Sequence, residues 1–308
     1  MKPLSNKQLI IIAIFCVAAL GAALALFVPQ KAKKARLPVH GPTPAAVSAP
    51  TSTVPVVEKV PVPERLAIGL SVQGRSIESY TFGGGKTRLV FAGGIHGGYE
   101  WNSALLAYQL IDYLDKNPES IPENLSITVI PVVNPDGMFK ITGKEGRFSI
   151  ADVPAGSNDA GRLNAHGVDL NRNFGCNWKA AAVWKNKPVS AGTAAFSEPE
   201  SAAIKKFILE NDPAAVVFWH SQSDAIYGSQ CGGDMLAQTR EIMDAYSKAS
   251  GYRAVITFDQ YEVTGDVTDW LASIGKAAMT VELKTHEGTE WERNLAGIRA
   301  LFKYYGGK

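Results

Sequence analysis

The chain lacks a charge excess. Its 31 lysines and arginines face 29 aspartates and glutamates, for a formal net charge of +2. Nucleic-acid binding calls for a clustered basic surplus, and none is present. Part of the positive charge sits near the N-terminus, which leaves the remainder close to neutral. Cysteine is scarce as well. Of three, Cys16 lies in an apolar run, which leaves Cys176 and Cys231 in the globular part, either as a disulfide or as two unrelated thiols. There are five histidines, His40, His96, His166, His220 and His286, so any histidine-based site must draw on that short list. No internal repeat is visible.

What is present is a chain of 308 residues, 46% hydrophobic and 19% charged, enough for one sizeable core with accessory segments. Leu9 to Val28 is an uncharged apolar run of 20 residues. A bilayer-spanning helix needs about 20 residues, whereas a secretory h-region takes about 7–15. Length therefore predicts a transmembrane anchor or signal-anchor over 9–28, behind a short tail at 1–8. Lys2 and Lys7 precede the run, and Lys31, Lys33, Lys34 and Arg36 lie beyond it. Counted alone, these charges lean towards an inside C-terminal flank. The segment after the run reads as an exported stalk, and this favours the opposite orientation: a single-pass membrane protein with its folded part extracytoplasmic. Cleavage after the small residues around Ala22–Ala25, giving a secreted protein, is the alternative. From about Pro38 to Pro63 the chain is rich in Pro, Ala, Val, Ser and Thr. Residues 29–63 are read as a semi-extended linker, and 64–308 as the folded domain.

Within that domain strands alternate with helices. Strands are expected at Arg88–Ala92, Leu125–Val133, Ala214–Trp219 and Ala277–Leu283, with a turn signal at Asn134–Gly137. Helices are expected at Glu100–Asp115, Ser197–Glu210, Asp234–Ser250, Asp266–Ser273 and Thr289–Tyr305. The pattern predicts an α/β fold: a single domain with a central mixed, largely parallel sheet flanked by helices. Ligands of such sheets collect at the carboxyl ends of strands, and His96, His220 and Glu282 fall there. In Gly93-Gly94-Ile95-His96-Gly97-Gly98-Tyr99-Glu100, glycines permit the tight backbone that brings two side chains onto one ion. Zinc takes neutral imidazole and carboxylate ligands, and a catalytic zinc keeps one position open. His96, Glu100 and His220 are the candidate ligands. A loop histidine beside a carboxylate favoured by a helix N-terminus would give the same local pattern.

Taken in order, the segments IHGGYE (95–100), VNPDG (133–137), GVDLNRNF (167–174), Trp219-His220-Ser221, Tyr261 with Asp269-Trp270, and TVEL (280–283) resemble the zinc carboxypeptidases of the carboxypeptidase A/B type, including bacterial peptidoglycan-peptide carboxypeptidases. The resemblance covers about Ile68 to Tyr305. It implies one Zn2+ per chain on His96, Glu100 and His220. It also implies Glu282 as general base towards zinc-activated water and Arg162 as the positive donor to the oxyanion, with Arg147 as the alternative. Asn171 and Arg172 would hold the terminal carboxylate by the planar fork suited to it, and Tyr261 would close over the substrate. The common family spacing leaves two residues between the first ligand pair. Here Gly97, Gly98 and Tyr99 make three.

The resemblance implies a metallocarboxypeptidase acting on a peptide substrate with a free C-terminal carboxylate, on extracytoplasmic or cell-wall peptides. A deacylase or amidase on the same fold, able to cleave an N-acyl amino acid or a γ-glutamyl link, is a second reading. An inactive anchored peptide-binding module is a third. Asp266 is the candidate for selecting a basic or amino-bearing terminal residue. His166, His286 and His40 read as surface, packing or spacer residues.

Overall fold

The middle of the sheet explains the most apolar stretches of the sequence. Strands β3 (Thr87–Ala92), β7 (Ala215–Ser221) and β10 (Ala277–Leu283) run parallel side by side and are covered on both faces, so apolar residues run on almost unbroken. Alternate residues feed two cores. Leu89, Phe91, Val217, Trp219, Met279 and Val281 pack on one side. Val90, Ala92, Val216, Phe218 and Ala278 pack on the other.

The structure is a computed structural model describing residues 63–156, 158–256 and 258–307. The expected anchor and all but the last residue of the expected linker lie outside the described residues. Among the described residues no helix is long and apolar enough to cross a membrane.

The full sheet has eight strands in the order β1-β2-β4-β3-β7-β10-β8-β9. The added strands are β1 (Glu64–Leu70), β2 (Ser76–Phe82), β4 (Leu125–Ile130), β8 (Ala225–Gly228) and β9 (Arg253–Val255). β4 continues the parallel centre. β1 and β2 close one edge antiparallel, and β8 pairs antiparallel with β10. The expected mixed, largely parallel sheet is what forms. A separate hairpin joins β5 (Ala181–Trp184) to β6 (Lys187–Ser190).

Helices α1 (Trp101–Lys116), α4 (Ala237–Ser250) and α6 (Trp291–Gly306) contribute to the first core. Helices α3 (Pro199–Asn211) and α5 (Val267–Ser273) contribute to the second. A further helix, α2 (Pro135–Thr142), corrects the sequence reading. Asn134-Pro135-Asp136-Gly137 does not merely close a strand; it opens a helix. The Asn134 side chain accepts from Gly137 N at 2.9 Å, proline occupies the first turn, and Gly143 ends the helix at φ +65. These are the residue types that start and stop helices.

Cys176 and Cys231 are disulfide-bonded, which resolves the open alternative. The bond ties the segment after Arg172 to the loop after β8.

Candidate active site

Register brings the first two functional side chains together. β7 and β10 are parallel neighbours with His220 opposite Glu282, so imidazole and carboxylate emerge side by side at the carboxyl edge. His96 comes after β3, the neighbour of β7 on its other side, and Glu100 ends a single 3-10 turn spanning Gly97–Glu100. That turn absorbs the additional residue between His96 and Glu100. Gly97 has φ +47, and a Cβ there would lie 2.5 Å from the Gly161 carbonyl. Only glycine fits this conformation and this approach.

Ligand atoms of His96, Glu100 and His220 lie within 4.8 Å of one another, and all three residues are buried. Glu100 Oε2 is 3.1 Å from His220 Nδ1. Among the described residues, six buried side-chain polar atoms lack a hydrogen-bond partner, and His96 Nδ1, Glu100 Oε2, His220 Nε2 and Glu282 Oε2 are four of them. Buried polar atoms are nearly always satisfied, so orphaned atoms on His96, Glu100 and His220, three residues whose ligand atoms lie close together, fit a cation. Two imidazoles and a carboxylate are a zinc donor set with a position to spare.

The electrostatics agree with the donor set. Burial, reinforced by Arg162 and His220, drives His96 well below the ordinary imidazole range and keeps it neutral. Burial alone would lower His220 too, but Glu100 outweighs it and the net shift is upward. A metal ion must displace that proton. Burial, with Glu100 beside it, pushes Glu282 up to about 7.

Arg162 is the cation aimed at the site. Its Nε and Nη2 donate to Asp169 Oδ2 at 3.0 and 2.9 Å, and Nη1 lies 3.8 Å from Glu100 Oε1. Its guanidinium stacks 4.3 Å from the Trp184 ring centre. The alternative, Arg147, pairs with Asp112 on the surface and plays no part. Asp169, not singled out from sequence, joins three functional groups. Besides Arg162, it lies 3.6 Å from His96 Nδ1 and accepts from Asn171 N at 3.1 Å. Asp169 thus fixes Arg162 and the Asn171 backbone, and lies beside His96 without a hydrogen bond to it.

Arg172 is 2% exposed. Nε donates to Val183 O at 3.0 Å and Nη1 to Asn171 O at 2.8 Å, yet no carboxylate lies within ion-pair distance among the described residues. Asn171 is held at both ends of its amide, by Val267 N at 3.0 Å and Asp266 Oδ2 at 2.7 Å. Tyr261 packs edge-on against Phe258. Burial raises its hydroxyl pKa, so it remains a donor. All these side chains line one cavity of about 830 Å³.

Asp266 requires correction. Its Oδ1 accepts from Thr268 N, Thr268 Oγ1 and Asp269 N, at 2.7, 2.7 and 3.2 Å, and its Oδ2 holds Asn171. It is the N-cap of α5 and has little capacity left for a substrate amine. Asp269, one turn on, lines the same cavity and accepts from Gln230 N at 3.0 Å. Burial and the charge of Asp266 push it up to about 7. Asp266→Ala should therefore lower stability by about 1–2 kcal/mol, as loss of a cap does, and raise KM by releasing Asn171. The preference among terminal side chains should stay the same. Chemical denaturation and a substrate panel on the variant check this, and a switched preference with intact stability would return the role to Asp266.

His166 sits at the surface against Glu198, as expected. His286 packs, also as expected: its Nδ1 lies 2.7 Å from Ser221 Oγ and its ring 4.7 Å from Tyr99, two residues that line the cavity. Its only sequence signal was its position four residues after Glu282.

Residues 61–293 match the sequence profile of the zinc carboxypeptidase family (peptidase M14). Relatives include metallocarboxypeptidase A of Trichophyton tonsurans, 27% identical over 72% of this chain and 58% of that one. Carboxypeptidase B of Astacus astacus is 27% identical over 70% and 78%. The chain spans about half the length of another relative, the uncharacterized protein YqgT of Bacillus subtilis, at 28% identity over 54% of this chain and 47% of YqgT. The fold is shared with carboxypeptidase A from Helicoverpa armigera, with a TM-score of 0.61 at 23% identity over 80% of this chain and 68% of that one. It is shared also with murein-tripeptide amidase MpaA from Escherichia coli O157, with a TM-score of 0.55 at 22% identity over 81% and 96%.

Proposed function

We propose, from the premise that the chain belongs to the zinc carboxypeptidase family, that it is a zinc-dependent exopeptidase releasing the terminal residue of peptides outside the cell membrane, including cell-wall peptides. The observation that carries this reading is Arg172. A guanidinium buried to 2% exposure without an anionic partner among the described residues is costly. It sits in the cavity that also holds the His-Glu-His cluster and Glu282. A substrate's terminal carboxylate supplies the missing charge, bidentate on the planar fork.

His96, Glu100 and His220 would hold the zinc ion, which when bound supplies Lewis acidity to the water and to the scissile carbonyl. The remaining work belongs to the chain. Asn171 and Arg172 fix the terminal carboxylate, and so place the last peptide bond beside Glu282. Glu282 takes a proton from water as the water oxygen bonds to the carbonyl carbon. The same proton passes to the amine nitrogen as the C–N bond breaks, and the carboxylate is restored. Arg162, locked by Asp169, donates from Nη1 to the oxygen on which negative charge develops. Tyr261 covers the bound residue and donates its hydroxyl proton in a hydrogen bond.

Arg172→Met should reduce kcat/KM on free-carboxylate peptides by about 10²–10³, the loss of a charge-assisted bidentate contact at a desolvated site. It should leave the already poor cleavage of C-terminally amidated peptides nearly as it was. A panel of paired free and amidated peptides reads this directly, and equal turnover of both forms by the parent protein would sink the exopeptidase reading.

The likeness to a murein-tripeptide amidase along 96% of that chain favours one second reading, an amidase acting on an acyl or γ-glutamyl link with the same metal and Arg172. Short N-acyl and γ-linked substrates in the same panel separate the two.

A further inference from the structure

The hairpin β5–β6 was not expected from sequence, and it reaches into the active-site cavity. Its two turn residues, Lys185 and Asn186, have φ +48 and +59. A two-residue turn with both φ values positive is the primed type that favours asparagine or glycine at each position. Asn186 conforms, whereas Lys185 places a long side chain where one is disfavoured. Strained residues of this kind persist where the surroundings hold them, and they mark functional sites.

The surroundings do hold it. Val183 O accepts from Arg172 Nε, so the hairpin is pinned to the terminal-carboxylate clamp. Trp184 stacks edge-on against Tyr99 at 5.2 Å and lies under the Arg162 guanidinium. Lys185 Nζ donates to Tyr99 Oη at 3.1 Å and lies 5.0 Å from the Trp184 ring centre. Among the described residues no carboxylate lies within ion-pair distance of Lys185, although it is part of the cavity lining.

Substrate direction gives this cation its task. With the terminal carboxylate on Asn171 and Arg172, and the scissile carbonyl facing Arg162, the preceding residue continues past Arg162. Besides Asp169 and Glu100, the rings of Tyr99 and Trp184 lie against Arg162, and Lys185 lies against both rings. On that orientation Lys185 sits with the rings beside Arg162, whereas Asp269 sits beside Asp266, which holds Asn171.

We propose that the β5–β6 hairpin forms a second anion-binding subsite, in which Lys185 pairs with a carboxylate carried by the residue just before the scissile bond. The carboxylate can be the side chain of an α-linked acidic residue or the free α-carboxylate of a γ-linked one; both present the same group. The inference rests on the substrate orientation proposed above.

The test measures binding and turnover separately. Zinc-loaded Glu282→Gln protein is titrated with N-acetyl-Glu-Lys, its γ-linked isomer and the neutral isostere N-acetyl-Gln-Lys. At least one of the two acidic peptides should bind about three- to fivefold tighter than the neutral one, the scale of one ion pair at an exposed lysine, and which one does identifies the source of the carboxylate. Adding Lys185→Met should bring the preferred peptide within about twofold of the neutral one, and Lys185→Arg should restore the difference. Equal affinities for all three peptides, or a preference that survives Lys185→Met, would overturn the proposal. Turnover by the unsubstituted protein is recorded on the same peptides. If none is cleaved yet the binding preference tracks Lys185, the subsite stands and the exopeptidase reading falls.

Discussion

His220→Ala should abolish zinc binding. Elemental analysis should read about one zinc per chain in the unsubstituted protein and near zero in the variant. Hydrolysis should fall by at least about 10³, because a metal contributes several kcal/mol of charge stabilisation to such a reaction. The effect on folding is separable. His220 is 2% exposed, and its Nδ1 faces Glu100 at 3.1 Å. Removing it leaves Glu100 buried beside Glu282 with Arg162, at 3.8 Å, as its remaining ion-pair partner among the described residues. Losing one member of a buried pair costs about 3–5 kcal/mol, so the metal-free variant should melt below the metal-free parent. Glu100→Gln and His96→Ala should lose zinc in the same way. The glutamate variant bears on the unusual spacing, because a protein that kept its full zinc without Glu100 would show that the 3-10 turn had not delivered the ligand. A folded parent protein without zinc under any loading condition would remove the basis of the hydrolase reading.

Sequence made the centre of the molecule legible and the periphery much less so. β3, β7 and β10 were readable because strands buried on both faces are continuous apolar runs. His96, His220 and Glu282 were readable because each ends or succeeds such a run. Arg162 and Arg172 could be named only through the ordered family segments, and the choice between Arg162 and Arg147 waited for the Asp169 contact, which spans seven residues. The edge strands were missed for a physical reason. β1 reads ERLAIGL and is mostly exposed, and β8 and β9 have four and three residues, too few for any period to show. The β5–β6 hairpin was missed because its turn carries lysine where glycine is expected, so the feature that hid it is also the one that suggests its use. Asp266 was misread because an aspartate before a short helix looks the same in sequence whether it caps the helix or faces a ligand.

Glu282→Gln should give a protein that binds zinc and peptide but turns over at least about 10³-fold more slowly, within the range general-base removal reaches. Zinc content close to that of the parent distinguishes this from ligand loss. Its second signature is in stability against pH, measured without metal. Burial and Glu100 push Glu282 up to about 7, above the ordinary carboxyl value of 4.5. A folded-state value raised in this way means that the folded protein holds a proton the unfolded chain releases. The resulting stabilisation is full below about 4.5 and is lost as pH rises through about 7. The metal-free parent should therefore lose stability between about pH 4.5 and pH 7 in chemical denaturation. Glutamine, which never ionises, should remove the part of that slope due to Glu282. Asp269 is also raised to about 7 and adds a slope of the same sign, so the informative quantity is the difference between parent and variant. Identical slopes would show that the Glu282 carboxylate is already ionised in the metal-free cavity, and that neither burial nor Glu100 sets its proton affinity. A flattened slope with zinc retained and turnover lost would assign to one carboxylate both the buried proton and the catalytic one.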